Sequence, residues 1–411
     1  MRSNKYFLVF IAVTVAVLFY GCGGGQGIAI SKLTNGPTLA TVTGDNVLPL
    51  TVNGTTCAAN SDVNKPCVTV KLCATDGSNC QTIGDVLVDT GSFGFRVFRS
   101  VLNPGLSSAL TQVTIGGKSL AECTQYGDGS ADWGPIEMAG LVLGNEPMVQ
   151  LPIEVIDPTF PTMPSDCSTS PDTDPVEAGY SGILGIGLFA QDCGSLCETS
   201  ANADNGVYYA CSGTTCTSTD VNASDQVTNP IALLHQDNNG VILELPSVSL
   251  GGLPSINGYL VLGIGTRTNN APANVTAYST DEYGDYSSSF NDVTYSSYLD
   301  SGSNALFFKA PSAAALPACS DGLSGFFCPS STLAFSAINI AATGSTESQI
   351  NFQIGNMNSL SNTNNSVFVE IGGDGGTDEF DWGLPFFMGR NVYVGLESAS
   401  SSLGTGAYWA Y

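Results

Sequence analysis

Two short acidic motifs constrain this chain more than any other feature: Asp89-Thr90-Gly91-Ser92, in VLVDTGS, and Asp300-Ser301-Gly302-Ser303, in SYLDSGS. Each follows an apolar, strand-like run, and each leads into a second apolar stretch, FGFRVF after the first and NALFF after the second. An acidic residue followed by a small hydroxyl residue and Gly suits a tight loop at a strand end, where amide and hydroxyl donors fix a carboxylate. One such triplet alone is an ordinary turn sequence. No other Asp-(Ser/Thr)-Gly triplet occurs in the chain, so the duplication points to one acidic loop per half. Two carboxyls brought face to face cannot both ionise cheaply; the pair keeps one proton over a broad pH range and offers an acid beside a base. Such sharing requires oxygens within about 3 Å of each other.

Around these motifs, short runs rich in Val, Ile, Leu, Thr and Tyr alternate with clusters of Gly, Asn, Asp and Ser; CVTVKLC, GLVLG, GYLVLGIG and NVYVGLE are examples. That pattern predicts an all-β protein. Helical periodicity is scarce, and short helices are expected only within 186–200, 228–238 and 311–317. Segments 160–178 and 198–226, crowded with Ser, Thr, Asp, Asn and Cys, are expected to be surface insertions stapled by disulfides. With 411 residues, 43 % of them hydrophobic, the chain can bury a large core split between two lobes.

The first residues have the layout of an export signal: Arg2 and Lys5, then an apolar run from Tyr6 to Tyr20, then Gly21-Cys22. That run is short for a membrane span. LFYGC resembles a bacterial lipoprotein signal, which implies that Cys22 carries lipid and, with Gly23 after it, that the chain sits in the outer membrane of the cell envelope. Setting Cys22 aside, 12 of the 13 Cys remain, an even number suited to an oxidising compartment. Sequence neighbours suggest Cys57 with Cys67, Cys73 with Cys80, Cys319 with Cys328, and Cys123 with Cys167. Cys193, Cys197, Cys211 and Cys216 read as two nested disulfides or as a four-thiolate zinc site; exported cysteines and the lack of close Cys-x-x-Cys pairs favour the disulfides. A net charge of −25 with only 11 basic residues argues against a nucleic-acid partner or a basic lipid-binding patch.

Beyond the two loops, CTQYGDGSADWGPI lies between them, YSGILGIGLF follows, then NPIALLHQDNNGVILELPSVSLGG with NGYLVLGIG, and finally DWGLPFFMGRNVYVGLE. Together these segments resemble, in order over roughly 46–400, the pepsin-like aspartic protease family. The resemblance implies a bilobal all-β fold with its active-site cleft between lobes, Asp89 and Asp300 as catalytic dyad, and a polypeptide substrate hydrolysed without cofactor or metal. It implies that Thr90 and Ser301 cross-brace the loops, that Ser92 and Ser303 orient the outer carboxylate oxygens, and that Gly91 and Gly302 let backbone amides approach. Tyr126, Gly127 and Gly129 would form a flap over the substrate. The implied organisation is a signal peptide (1–21), a tether after the lipidated Cys22 (22–45), an N-terminal lobe (46–250) and a C-terminal lobe (251–411), in a monomer held to the membrane by its N-terminal lipid.

The chain departs from the family at several points. Arg96 stands where the family often has Trp, Asp128 adds a charge at the flap tip, Trp133 lies in a lengthened flap, and Leu384-Pro385 replaces an expected Gly-Asp. Between Cys22 and Val47 the only basic residue is Lys32, which argues against activation by loss of a cationic prosegment. Phe93, Phe95, Phe307 and Phe308 are candidates for core or subsite walls. The single His235, in an apolar stretch beside Gln236, reads as structural. No HExxH, GxSxG or phosphate-loop motif is present. Two other readings remain: a pepsin-like scaffold of the cell envelope that binds a peptide or glycan without cleaving it, and a structural envelope lipoprotein without a ligand cleft.

Overall fold

The computed structural model describes residues 39, 41–58, 62–165, 167–168, 170–199, 205–320, 322–376 and 379–411. The expected signal, Cys22 and most of the tether lie outside the described residues. With 42 % strand against 10 % helix, the protein is all-β, its sheets curled into barrel and half-barrel forms. One sheet has 17 strands and a second has seven, with a small two-stranded ribbon besides.

Each acidic loop is built by the same local topology, once in each large sheet. Gln81–Asp89 runs into the first loop and Phe93–Phe98 leaves it; Gly182–Ile186 then inserts between them, parallel to the first with Gly185 opposite Asp89, and antiparallel to the second. In the other sheet Val293–Asp300 leads in and Leu306–Phe308 leads out. Glu379–Gly383 inserts between these, with Gly383 opposite Asp300 and Trp382 opposite Leu306. Parallel pairing needs a long connection, which explains why the crossing strands come so far downstream of the loops they support.

The period of two along Glu379–Gly383 sorts its side chains. Phe380 and Trp382 enter the core, where their rings stack 4.2 Å apart and Phe308 stacks on Phe380 at 4.9 Å. Glu379 and Asp381 take the opposite face. Ile256–Leu262 pairs with Val47–Val52, and Asn391–Gly395 with Gly240–Glu244. Strands drawn from 251–411 therefore contribute to the larger sheet, and the sheets do not divide at residue 250.

Six disulfides are formed, in keeping with an exported protein. The four pairs suggested by sequence neighbours are the pairs observed: Cys57–Cys67, Cys73–Cys80, Cys123–Cys167 and Cys319–Cys328. The expected nesting of the other four cysteines is corrected: Cys193–Cys197 and Cys211–Cys216 lie side by side. Cys211 and Cys216 face each other across a hairpin, Tyr208–Ser212 with Thr215–Ser218. That hairpin also corrects the reading of 198–226 as a surface insertion, because Tyr208–Ser212 pairs with Lys118–Gln125 and buries Tyr208 and Tyr209. The expected helices shrink to single turns, Gly194–Cys197 and Pro230–Leu233, while 311–317 is a turn without a helix. No helix among the described residues is long and apolar enough to cross a membrane.

Cys123–Cys167 ties a strand of the central hairpin to a segment 44 residues on. Loop-closure entropy over that separation corresponds to about 4 kcal/mol at 25 °C. A double Cys123→Ala, Cys167→Ala variant is expected to lose up to that much stability, read as a lower urea midpoint with a slope no smaller than that of the wild type, because the freed unfolded chain exposes more surface. An unchanged midpoint would mean that packing alone holds 160–178 in place.

Candidate active site

Thr90 and Ser301 lock the two loops together by reciprocal bonds. The Thr90 hydroxyl donates to Leu299 O (2.7 Å) and accepts from Ser301 N (2.9 Å); the Ser301 hydroxyl donates to Val88 O (2.7 Å) and accepts from Thr90 N (3.1 Å). Both side chains are buried. Each carboxylate is then held by its own loop in the same way. Asp89 Oδ1 accepts from Gly91 N (2.8 Å) and its Oδ2 from Ser92 Oγ; Asp300 Oδ1 accepts from Gly302 N (2.7 Å) and its Oδ2 from Ser303 Oγ (2.8 Å). The crossing strands complete the mirror symmetry, with Gly187 N donating to Ser92 O (3.0 Å) and Leu384 N to Ser303 O (2.8 Å). Leu384-Pro385 thus supports the second loop through the backbone, with both side chains buried.

The glycines explain how two acids come this close. A Cβ on Gly91 would fall 2.7 Å from Asp300 Cγ, and one on Gly302 would fall 2.7 Å from Asp89 Oδ1. Each glycine is the bare floor on which the opposite carboxyl rests. Asp89 is only 7 % exposed. Burial first, then the charge of Asp89 and the hydrogen bond between the two acids, push Asp300 up to about 8. The pair therefore keeps one proton through acidic and neutral pH.

A groove of about 1090 Å³ runs past both acids, larger than the roughly 300–1,000 Å³ typical of small-molecule sites. Phe93 and Phe307 line it, whereas Phe95 and Phe308 are fully buried in the core. Above it hangs the turn of the hairpin Lys118–Gln125 with Ala131–Val142. Gly129 N bonds Tyr126 O (2.9 Å), and Asp128 caps the turn by accepting from Ser130 N (2.9 Å) and its hydroxyl (2.7 Å). Tyr126 and Gly127 line the groove; Gly129 shapes the turn at φ 85° without lining it. His235 is exposed and takes no part in the groove.

Two features of this region were not legible from the motifs. Beneath the hairpin, Arg96 is buried against Glu122 (2.7 Å), Glu154 (3.1 Å) and Asp192 (3.2 Å), and donates to Phe93 O (2.7 Å) in the first loop's exit strand. Burial works against the guanidinium charge, but Glu122, Tyr126, Glu154 and Asp192 outweigh it and hold Arg96 protonated. Burial and then Glu122 push both Glu154 and Asp192 well above the carboxylate range. The cluster reaches the turn through Tyr126, whose hydroxyl donates to Asp132 Oδ2 (2.7 Å); burial and then Asp172 push Asp132 up to about 7. Trp133, next in the strand, anchors the hairpin by donating its indole N–H to Pro161 O (3.0 Å). The second feature is Asp381, a third acid beside Asp300. Its only sequence signal is a charge inside the apolar crossing segment FDWGLPFF.

An all-β protein with two loop-borne carboxyls sharing a proton at the floor of a hairpin-covered groove has the constellation of an acid–base site. The chain belongs to a family described as a protein of unknown function (DUF3443), whose model matches residues 42–411. No curated protein matches it.

Proposed function

We propose that this chain is an exported aspartic endopeptidase of the pepsin-like kind. The observation that carries the reading is the mirrored hydrogen-bond set around Asp89 and Asp300, since a scaffold that only binds has no chemical need for two apposed carboxyls on reciprocally braced loops. In this reading the two large sheets supply the lobes and the groove holds an extended polypeptide. A water between the acids loses a proton to the ionised member, while the protonated member polarises the scissile carbonyl. The resulting tetrahedral diol collapses as its proton passes to the departing amine. The shared proton belongs to the pair and not to either residue. Tyr126, Gly127 and Gly129 close over the substrate and exclude water, with Tyr126 steadied by Asp132 where the family uses Trp. The chain acts as a monomer, without cofactor, held to the outer membrane of the cell envelope by lipid on Cys22 and facing the periplasm or the cell surface.

The purified mature protein is expected to cleave an unfolded protein in acid and to be blocked by a statine-type transition-state analogue, bound at least about 10²-fold more tightly than substrate. With Asp300 raised to about 8, kcat/KM should fall as pH rises through about 8, when the pair loses its last proton. A protein that binds unfolded chains at every pH and cleaves none would be the non-catalytic envelope binder instead.

A further inference from the structure

We infer that the groove takes a cationic side chain, the ammonium of Lys or the guanidinium of Arg, against Asp381 beside the acid pair. The inference rests on the proteolytic reading for the word substrate, but its binding content stands apart from it. Asp381 is 7 % exposed and lines the groove, and its Oδ1 has no hydrogen-bond partner among the described residues. A buried carboxyl oxygen left unpaired is unfavourable; Glu122 Oε2, Glu154 Oε1 and Glu370 Oε2 share that condition among the described residues, but of the four residues only Asp381 lines the groove, where a ligand can relieve it. The alternation along Glu379–Gly383 turns Asp381 away from the aromatic core, while its neighbours Phe380 and Trp382 are wholly buried there.

The surroundings favour one kind of partner. Asp285, Asp374 and Glu379 line the same groove, and no Lys, Arg or His is among its described lining residues. Those three carboxylates have donors of their own: Asp285 accepts from Ser296 Oγ (2.6 Å), Asp374 from Gly376 N (3.3 Å) and Glu379 from Tyr298 Oη (3.4 Å). Asp381 has an oxygen to spare. Tyr298, its register neighbour on the adjoining strand, also lines the groove and offers an apolar ring to the methylene stem of a long cationic side chain. Asp381 sits one hydroxyl away from the chemistry, because Ser303, which donates to Asp300, also lies within hydrogen-bonding influence of Asp381. The cationic residue therefore flanks the scissile bond. Burial and then Asp300 push Asp381 well above the carboxylate range, and a bound cation is the partner that lets it ionise.

Two peptides that differ only in Lys or norleucine beside the cleaved bond test this. In the wild-type protein kcat/KM should favour Lys by at least about 10-fold, a ratio that falls towards one in Asp381→Asn and Asp381→Leu. Dissociation constants of the same peptides on Asp89→Asn should show the same preference, and Asp89→Asn with Asp381→Asn should lose it. That second arm separates the two ideas: a Lys preference in binding with no cleavage by the wild type would sink proteolysis and keep the cationic subsite. Equal treatment of the two peptides by the wild type, a preference that survives loss of the Asp381 carboxylate, or no binding of either peptide would overturn the inference.

Discussion

Replacing Asp89 or Asp300 with Asn is expected to lower kcat by at least about 10³-fold and to leave the fold intact. Asn fits either loop: its carbonyl oxygen can accept from the Gly91 or Gly302 amide, and the hydroxyl of Ser92 or Ser303 can turn to accept from its amide nitrogen. What Asn lacks is a proton to give up or a charge with which to take one. The two carboxyls act as a unit, so the double variant should be no slower than either single one. Single-turnover cleavage of one peptide by wild type, the two single variants and the double variant measures this, and equal rates in wild type and Asp89→Asn would end the protease reading. A stability signature accompanies it. Asp300 binds its proton more tightly in the folded protein, at about 8, than in the unfolded chain. Between about pH 4 and pH 8 the folded state thus holds a proton that the unfolded state has released, and stability falls as pH rises. Asn does not titrate, so the melting temperature of Asp300→Asn relative to wild type should climb across that window.

Arg96→Met is expected to cost about 3–5 kcal/mol at neutral pH. Met fills the space of the aliphatic stem but leaves Glu122, Glu154 and Asp192 buried without the cation that all three contact. Glu154 and Asp192 already titrate above their ordinary range in the folded state, so their contribution declines as pH rises through and beyond that range. Removing the cation raises them further and steepens that decline. Calorimetric melts at pH 4 and pH 8 should show a small deficit in acid, where Glu154 and Asp192 are protonated, and a large one at pH 8. A deficit independent of pH would mean that the packing of Arg96, and not its charge, is what the hairpin depends on.

The parts of this site that could be read in the chain are those whose chemistry is local. An Asp, a hydroxyl residue and a Gly in succession dictate a loop that binds its own carboxylate, and the duplication of that loop invites a pair. Four of the six disulfides were legible by pairing cysteines that are neighbours in sequence order. The pairing of Cys211 with Cys216, only five residues on, was missed because it is set by the local hairpin of Tyr208–Ser212 with Thr215–Ser218, whose Ser- and Thr-rich strands read as loop. The Ala-rich stretch 311–317 has good helix formers, but Pro311 and Pro317 leave room for only one turn, closed by Ala315 and Leu316 amides on Ser312 O, and one turn does not propagate. The partners of Arg96 and the exposure of Asp381 to the groove are matters of strand register, which a one-residue shift would reverse. The two large sheets were foreseen as β structure, while the passage of Ile256–Leu262 and Asn391–Gly395 into the larger one was not.

The reciprocal hold between Thr90 and Ser301 works as an interlock. Neither loop can complete its own backbone bonding until the other has arrived, so no partly folded chain carries half a reactive centre. In the proteolytic reading, a polypeptide threading out of the cell is thereby inert toward its neighbours, and toward itself, until its distant halves have met.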